Sequence, residues 1–498
     1  MLRNAAPAQG CHASRTDLPR IHPATRRPVS GRSLRRQLRR NNLLQKSSRH
    51  RWIRLQARLH HWLTRPSPAR YVALGYLGYM LAGWVLLALP MSQALPLPAL
   101  DSLFIAVSAV STTGLATVDP GTSFTFFGQV VILALIQVGG LGFMTIGSFA
   151  WAALAAPVAP AGLRDRVARL VFSVSATEDV RRFLRRVAIY SLVVEGLGAL
   201  ALYPLFRAAG VADPAWSALF HSVSAFCTAG FSLFPDSLER FSGNALVLSV
   251  IALLSMLGAI GFLVASEVWD RLRGRRAALG LTARLVLRTL PLMILAGAAL
   301  LLATEPAFAT RSWADALGNA LFQTMSATTT VGFNSMPLGG VGMATTLLLC
   351  AAMLVGASPS GTGGGLKVTT LGVLLALLRA TARGEAQVRL LGRAVREEQL
   401  RQAATILVAA VMLIGLAMYA LLLTETLPFE RLLFEALSAL GTVGLSLGAT
   451  GELSPWGKAI IIALMAVGRI GVLGFAVAIA ARVRQAERAA ATAEEVAL

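Results

Sequence analysis

The chain has 498 residues, of which 55% are hydrophobic and only 14% charged, with a mean hydropathy of +0.64. That composition excludes a soluble globular domain and describes an integral membrane protein, so the formal charge of +22 must sit outside the apolar runs. Cys11, Cys227 and Cys350 are widely scattered, with no CxxC pair and no Cys/His cluster, which argues against a disulfide framework or a zinc site.

Residues 1–66 are rich in Arg, carry Asp17 as their one carboxylate and show no apolar period. They are expected to form a disordered cytoplasmic tail. A nucleic-acid arm, an anionic-lipid anchor and a transit peptide are weaker readings of the same composition, and no nucleic-acid partner is expected. From Tyr71 onwards, apolar runs long enough to cross a bilayer are expected at 71–91, 124–151, 187–206, 244–268, 285–304, 342–378, 403–424 and 456–481.

Within each successive pair of runs lies a segment of about a dozen residues, which as a helix reaches only about 18 Å. It can enter a membrane but not cross it. These four segments share one pattern: LFIAVSAVSTTG, LFHSVSAFCTAG, LFQTMSATTTVG and LFEALSALGTVG. Phe104, Phe220, Phe322 and Phe434 keep their place in it, as do Ser108, Ser224, Ser326 and Ser438, then Thr112, Thr228, Thr330 and Thr442, then Gly114, Gly230, Gly332 and Gly444. Copies roughly a hundred residues apart are far beyond solenoid periods, so the repeat is a domain-sized membrane unit. The repeats occupy 67–151, 185–268, 284–378 (its second helix broken) and 402–482, with 483–498 as a second cytoplasmic tail.

Charge placement orients the layout. Arginines such as Arg164, Arg181, Arg271, Arg284, Arg379, Arg393, Arg401 and Arg482 follow the even-numbered runs. Asp101, Asp119, Asp213, Asp236, Glu305, Asp315, Glu425 and Glu452 flank the short segments. By the positive-inside rule both termini are cytoplasmic and the short segments dip in from outside. The expected fold is an all-α integral membrane protein with eight transmembrane helices: four tandem helix, re-entrant pore segment, helix repeats in pseudo-fourfold arrangement around one pore. Non-helical backbone at membrane depth is tolerated only where it is buried or lines such a cavity.

The strips Thr112-Thr113-Gly114, Thr228-Ala229-Gly230, Thr330-Val331-Gly332 and Thr442-Val443-Gly444 can each aim consecutive carbonyls at a common axis. Rings of carbonyls replace the hydration shell of an alkali cation, glycine permits φ above zero, and helix C-termini favour positive charge. No carboxylate lies in the strips, which argues against divalent selectivity.

These motifs, together with GASPSGTGGGLKVTT in the sixth run, resemble the Trk/Ktr/HKT superfamily of potassium transporters over roughly residues 70–482, most closely the Ktr-type membrane subunit. The resemblance implies K⁺ as substrate, filter glycines at Gly114, Gly230, Gly332 and Gly444, a homodimer with one pore per protomer, and a cytoplasmic RCK-type nucleotide-binding partner. It implies a bacterial plasma membrane location, with Na⁺ as an activator in the Ktr branch. In this family a serine at the first filter position accompanies Na⁺ permeation, so Gly114 favours K⁺. A Na⁺ or weakly selective monovalent cation pathway is the alternative. The long basic tail matches nothing in the family pattern.

Gly356 to Gly365 interrupt the sixth run, since Gly costs a helix about 1 kcal/mol and Pro about 3 kcal/mol. In the family this is an intramembrane gate, to which Gly361, Gly363, Gly364, Gly365 and Lys367 are assigned here. GTGGGLK is not a phosphate loop, because Leu366 occupies the glycine position before the lysine and the flank is membrane helix. Arg469, in the middle of the eighth run, costs at least about 2.5 kcal/mol unless partnered. It is expected to tie to the loop at Ser358, Ser360 or Thr362, with Glu195 as the rival partner. Lys367 either joins the same loop or snorkels. The runs contain no His/carboxylate cluster and no nucleophile beside a base, so no enzyme and no covalently bound cofactor are expected.

Overall fold

A computed structural model describes residues 68–142, 180–275, 278–359 and 361–471. The two tails, the ends of the runs at 124–151 and 456–481, and Ser360 lie outside the described residues. What is described is overwhelmingly helical, as backbone must be where water cannot satisfy it.

Four long helices, α1 (Pro68–Leu87), α4 (Val180–Ala208), α8 (Leu281–Thr304) and α12 (Glu397–Thr424), each lead into a shorter one. The shorter helices are α2 (Ala99–Ser111), α5 (Pro214–Phe226), α9 (Trp313–Thr329) and α13 (Phe429–Gly441). Their starts are written in the chain. Pro214 opens α5, Pro98 and Pro428 precede α2 and α13, and the Ser312 hydroxyl accepts from Asp315 N at the start of α9. A third helix then leaves each strip: α3 (Phe126–Gly140), α6 (Ala245–Ile260), α10 (Met343–Leu354) and α14 (Pro455–Ile470).

The packing closes on itself. Each long helix lies on the short helix that follows it, while α3 packs on α5, α6 on α9, α10 on α13, and α14 returns to α2. The four short helices are buried along most of their length, whereas α4, α8 and α12 turn Leu197, Leu200, Leu292, Leu295, Leu416 and Leu423 outward. An apolar exterior around an interior rich in Ser, Thr and Gly is the distribution of a helical membrane protein. Among the described residues, Arg185–Ala208, Leu281–Thr304 and Glu397–Thr424 are long and apolar enough to span a bilayer.

The continuous run expected at 244–268 is corrected. Helix α6 stops at Ile260, Gly261 takes φ +80, and α7 (Phe262–Leu272) departs at 98°. The bend falls at the left-handed Gly261, and beyond it α7 carries Glu267, Asp270 and Arg271 within three turns, a charged face unlike the apolar α6. Gly142 after α3 and Gly471 after α14 have φ of 78° and 86°, so three of these helices stop at a left-handed glycine. The third repeat differs. Its α10 ends at Leu354 in a two-residue strand, β1 (Val355–Gly356), which pairs in parallel with β2 (Leu366–Lys367) before α11 (Val368–Ala382). Beyond α11, β3 (Arg389–Leu390) and β4 (Arg393–Ala394) form a small basic hairpin.

Candidate functional site

The four strips sit at the C-termini of α2, α5, α9 and α13, and the repeated pattern is explained there by one motif. Thr112, Thr228, Thr330 and Thr442 all adopt positive φ, between 48° and 57°. In each, the threonine N–H bonds the carbonyl three residues back, and the next N–H bonds the carbonyl of the repeated serine: Thr113 to Ser108 (2.9 Å), Ala229 to Ser224 (2.8 Å), Val331 to Ser326 (3.0 Å), Val443 to Ser438 (2.8 Å). This is a Schellman cap with threonine where glycine is usual, at a conformational cost of about 1–2 kcal/mol per site. Such strain persists only where the surroundings over-determine it.

The serine hydroxyls tie the strip further. Ser108 and Ser438 accept from Gly114 N (3.1 Å) and Gly444 N (3.0 Å), while Ser224 and Ser326 donate to the carbonyls of Phe231 (2.8 Å) and Phe333 (2.5 Å). Phe104, Phe220, Phe322 and Phe434 anchor the same helices in the core.

The glycines show that the strips form a closed ring. A Cβ on Gly114 would overlap the Ala229 carbonyl, one on Gly230 that of Val331, one on Gly332 that of Val443, and one on Gly444 that of Thr113. With φ of 90°, 64°, 83° and 98° as well, no other residue fits these four positions without strain. On one side, the mouth side, all four glycines border a cavity of 270 Å³ that also touches Asp119, Ser232 and Asn334.

The other side is covered by the segment between β1 and β2. Its Ser358 and Thr362 N–H groups bond the carbonyls of Ala259 and Gly258 (both 3.1 Å), and Gly364 N donates to Thr330 Oγ1 (2.9 Å). Thr228 Oγ1 donates to the Cys227 carbonyl (2.7 Å) and lies 3.2 Å from Thr362 Oγ1, which donates to the Phe226 carbonyl (3.0 Å). Gly361 lies against the Ala259 carbonyl, Gly363 against Thr329 and Thr330, and Gly364 against Thr442, each too close for a side chain. Gly365 takes φ +63 beside Gly356.

Two cations hold three consecutive carbonyls of this loop. Arg469 Nη1 donates to Thr362 O (2.6 Å), and Lys367 Nζ donates to Gly363 O (2.5 Å) and, more weakly, to Gly364 O (3.5 Å). Arg469 Nη2 reaches Gly139 O, joining the loop to α3. Glu195 is not the partner of Arg469 here; its two oxygens each accept from Gln137 Nε2 at 3.0 Å. Lys367 faces the loop rather than snorkelling. Both cations line a 270 Å³ cavity on the loop side, with Tyr190, Gly258, Gly261 and Pro359.

One set of residues escaped the sequence reading. Gly139, Gly258 and Gly468 place their Cα against the carbonyls of Val110, Phe226 and Leu440, each two residues before a strip threonine. The signal was a Gly-x-x-Gly at the end of the helix that leaves the strip, Gly139–Gly142, Gly258–Gly261 and Gly468–Gly471, which the third repeat lacks at the end of α10. Small residues of this kind let membrane helices approach closely.

A family model described as TrkH, cation transport protein, matches residues 82–488. The Ktr system potassium uptake protein B of Bacillus subtilis is 35% identical over 439 residues, covering 87% of this chain and 95% of that protein. The protein of the same name from Vibrio alginolyticus is 35% identical over 82% of this chain and 90% of its own length. The potassium/sodium uptake protein NtpJ of Enterococcus hirae is 32% identical over 85% and 95%. Among solved structures, the potassium transporter TrkH from Vibrio parahaemolyticus superposes with a TM-score of 0.67 at 20% identity, covering 84% of this chain and 85% of that one, a likeness of fold.

Proposed function

The chain belongs to the TrkH family of cation transport proteins, most like its Ktr-type membrane subunits and not an enzyme, and on that premise we propose that it is the pore-forming subunit of a K⁺ uptake system. The observation that carries this reading is the closed ring of four glycine strips, each backed by the next strip's carbonyl. A ring of backbone oxygens with no fixed charge suits a monovalent cation stripped of water, and the C-termini of four buried helices add negative potential at the same point. K⁺ moves down its electrochemical gradient, where 100 mV contributes about 2.3 kcal/mol per charge.

The loop with Lys367 and Arg469 is the gate in this reading. Its cations neutralise carbonyls that would otherwise attract K⁺ and place positive charge across the path below the ring. Opening requires the loop to leave Thr330, Thr228 and α6. A homodimer in a bacterial plasma membrane, cytoplasmic termini, an RCK-type regulatory partner and Na⁺ activation complete the proposal. They rest on likeness to Ktr proteins and on the arginine distribution. The relative named for both potassium and sodium uptake supports a second reading, a weakly selective monovalent cation pathway.

Growth of a K⁺-uptake-deficient bacterium on limiting K⁺, with Rb⁺ and Na⁺ uptake measured alongside, separates the two. Rescue by the wild type with Rb⁺ preferred over Na⁺, and loss of that preference in Gly114→Ser, is the expected result. Equal Rb⁺ and Na⁺ uptake by the wild type would favour the second reading. No uptake of either, with an RCK partner present and insertion confirmed, would overturn both.

A further inference from the structure

Aligned on their strip threonines, the four repeats place Ile105, His221, Gln323 and Glu435 at one position, seven residues earlier and about two turns back along the short helix. All four side chains are buried. Three are polar, and each of these reaches the chain just beyond its own strip. Glu435 Oε1 accepts from the Ser446 hydroxyl and Oε2 from Thr450 Oγ1 (2.9 Å). His221 Nδ1 donates to Ser217 O (2.7 Å), which leaves Nε2 of the neutral ring to accept from Ser232 Oγ (2.9 Å). Gln323 Oε1 accepts from Ser335 N (3.3 Å). Ser232 and Ser446 both stand two residues after the strip glycine, and Ser335 three. In the first repeat the position is Ile105, which can make no such bond.

We propose that this position is a brace that fixes the mouth-side end of the second, third and fourth strips, and that Glu435 is a positioning residue for ion selectivity. The inference rests on the strips acting as a filter. On the helix side every strip is locked by its Schellman cap and repeated serine. On the mouth side the chain leaves a glycine at positive φ, where the backbone turns most easily. Holding the second residue after that glycine limits how far its carbonyl can rotate off the axis.

Glu435 is the strongest brace because both of its oxygens accept from hydroxyls, which lie 3.1 Å apart, and Ser446 Oγ in turn accepts from Gly448 N (2.9 Å). Arg431, one turn earlier, is bonded instead to Glu452 at 2.8 and 3.3 Å. A carboxylate fully buried in an apolar segment is expensive, and such groups are retained where they act on the ion path. A glutamine here would remove the charge and reverse one of the two bonds, its NH₂ donating to a hydroxyl that must turn its own proton elsewhere.

The test is Rb⁺ uptake into vesicles holding the full-length protein, with Na⁺ as competitor, for the wild type, Glu435→Gln, Glu435→Ala, Ser446→Ala, the double variant Glu435→Ala/Ser446→Ala, and Ile105→Val. The expected result is that Glu435→Gln and Ser446→Ala each lower the Rb⁺ over Na⁺ preference about tenfold with little change in maximal rate. The double variant should be no worse than Glu435→Ala, because one contact is removed in both. Ile105→Val should behave as wild type. Unchanged preference in Glu435→Gln and Ser446→Ala, or fully additive losses, would overturn the brace. Wild-type vesicles that take up no Rb⁺ even with an RCK partner present would overturn the transport reading, and the brace with it; Ser446→Ala, a small change at the strip's edge, covers the case in which Glu435 variants fail to insert.

Discussion

The ring of strips and the layer beneath it are built on opposite plans. In the ring, four repeats do the same thing: a left-handed threonine, a cap on the serine carbonyl and a left-handed glycine packed on the next strip. One level below, three repeats still agree, with Gly139, Gly258 and Gly468 packed on the short helices, while the third ends α10 at Leu354 and continues as the loop from Val355 to Lys367. In the proposed function, equal contributions suit a coordination ring and the single unequal one a movable obstruction. The loop also divides the threonines unevenly. Thr330 Oγ1 accepts from Gly364 N of the loop and Thr228 Oγ1, which donates to the Cys227 carbonyl, touches Thr362 Oγ1, whereas Thr112 Oγ1 and Thr442 Oγ1 have no hydrogen-bond partner among the described residues.

Substitution can break the comparison or sharpen it. The largest effect is expected in the ring, where Gly332→Ser forces a side chain onto the Val443 carbonyl at φ +83. Rb⁺ uptake should fall by at least about tenfold, since the left-handed conformation alone costs about 1–2 kcal/mol, and Gly230→Ser should match it. A milder result in one repeat than in the other three would show the ring to be unequal. Next comes Arg469→Gln, which releases Thr362 O and Gly139 O; uptake without any activating partner should rise several-fold, measured in vesicles. Lys367→Met should act in the same direction, and the pair should be non-additive because both hold one loop. The smallest effect separates the threonines: Thr330→Val should raise that basal uptake about threefold by freeing Gly364 N, while Thr112→Val leaves it unchanged. Equal behaviour of the two would mean that the loop does not rest on the threonine hydroxyls.

Much of this was legible in the chain because repetition exposes constraint. The four offsets of Phe, Ser, Thr and Gly identified the strips and the family, since each residue answers a local demand: a core anchor, a cap, a left-handed turn. The Gly-rich break in the sixth run was equally local, as helices do not carry that much Gly and Pro. The run at 244–268 was misjudged because hydropathy sums apolar residues without weighing a single left-handed glycine, Gly261, against the charged face that follows it. The partner of Arg469 stayed open between the loop and Glu195, since both were plausible by charge and depth; geometry settled it, because Gln137 occupies the carboxylate.

By itself, then, the sequence determined the membrane class, the fourfold repetition, the family and the residues that had to be glycine. Only the tertiary structure decided which strip faces which, which threonines the loop engages, and where Lys367, Arg469 and Glu435 find their partners. The physical reason is range. Backbone conformation and membrane burial are set by neighbours in the chain, but a hydrogen bond such as Arg469 to Thr362, 107 residues apart, depends on how four separately written repeats close around one axis.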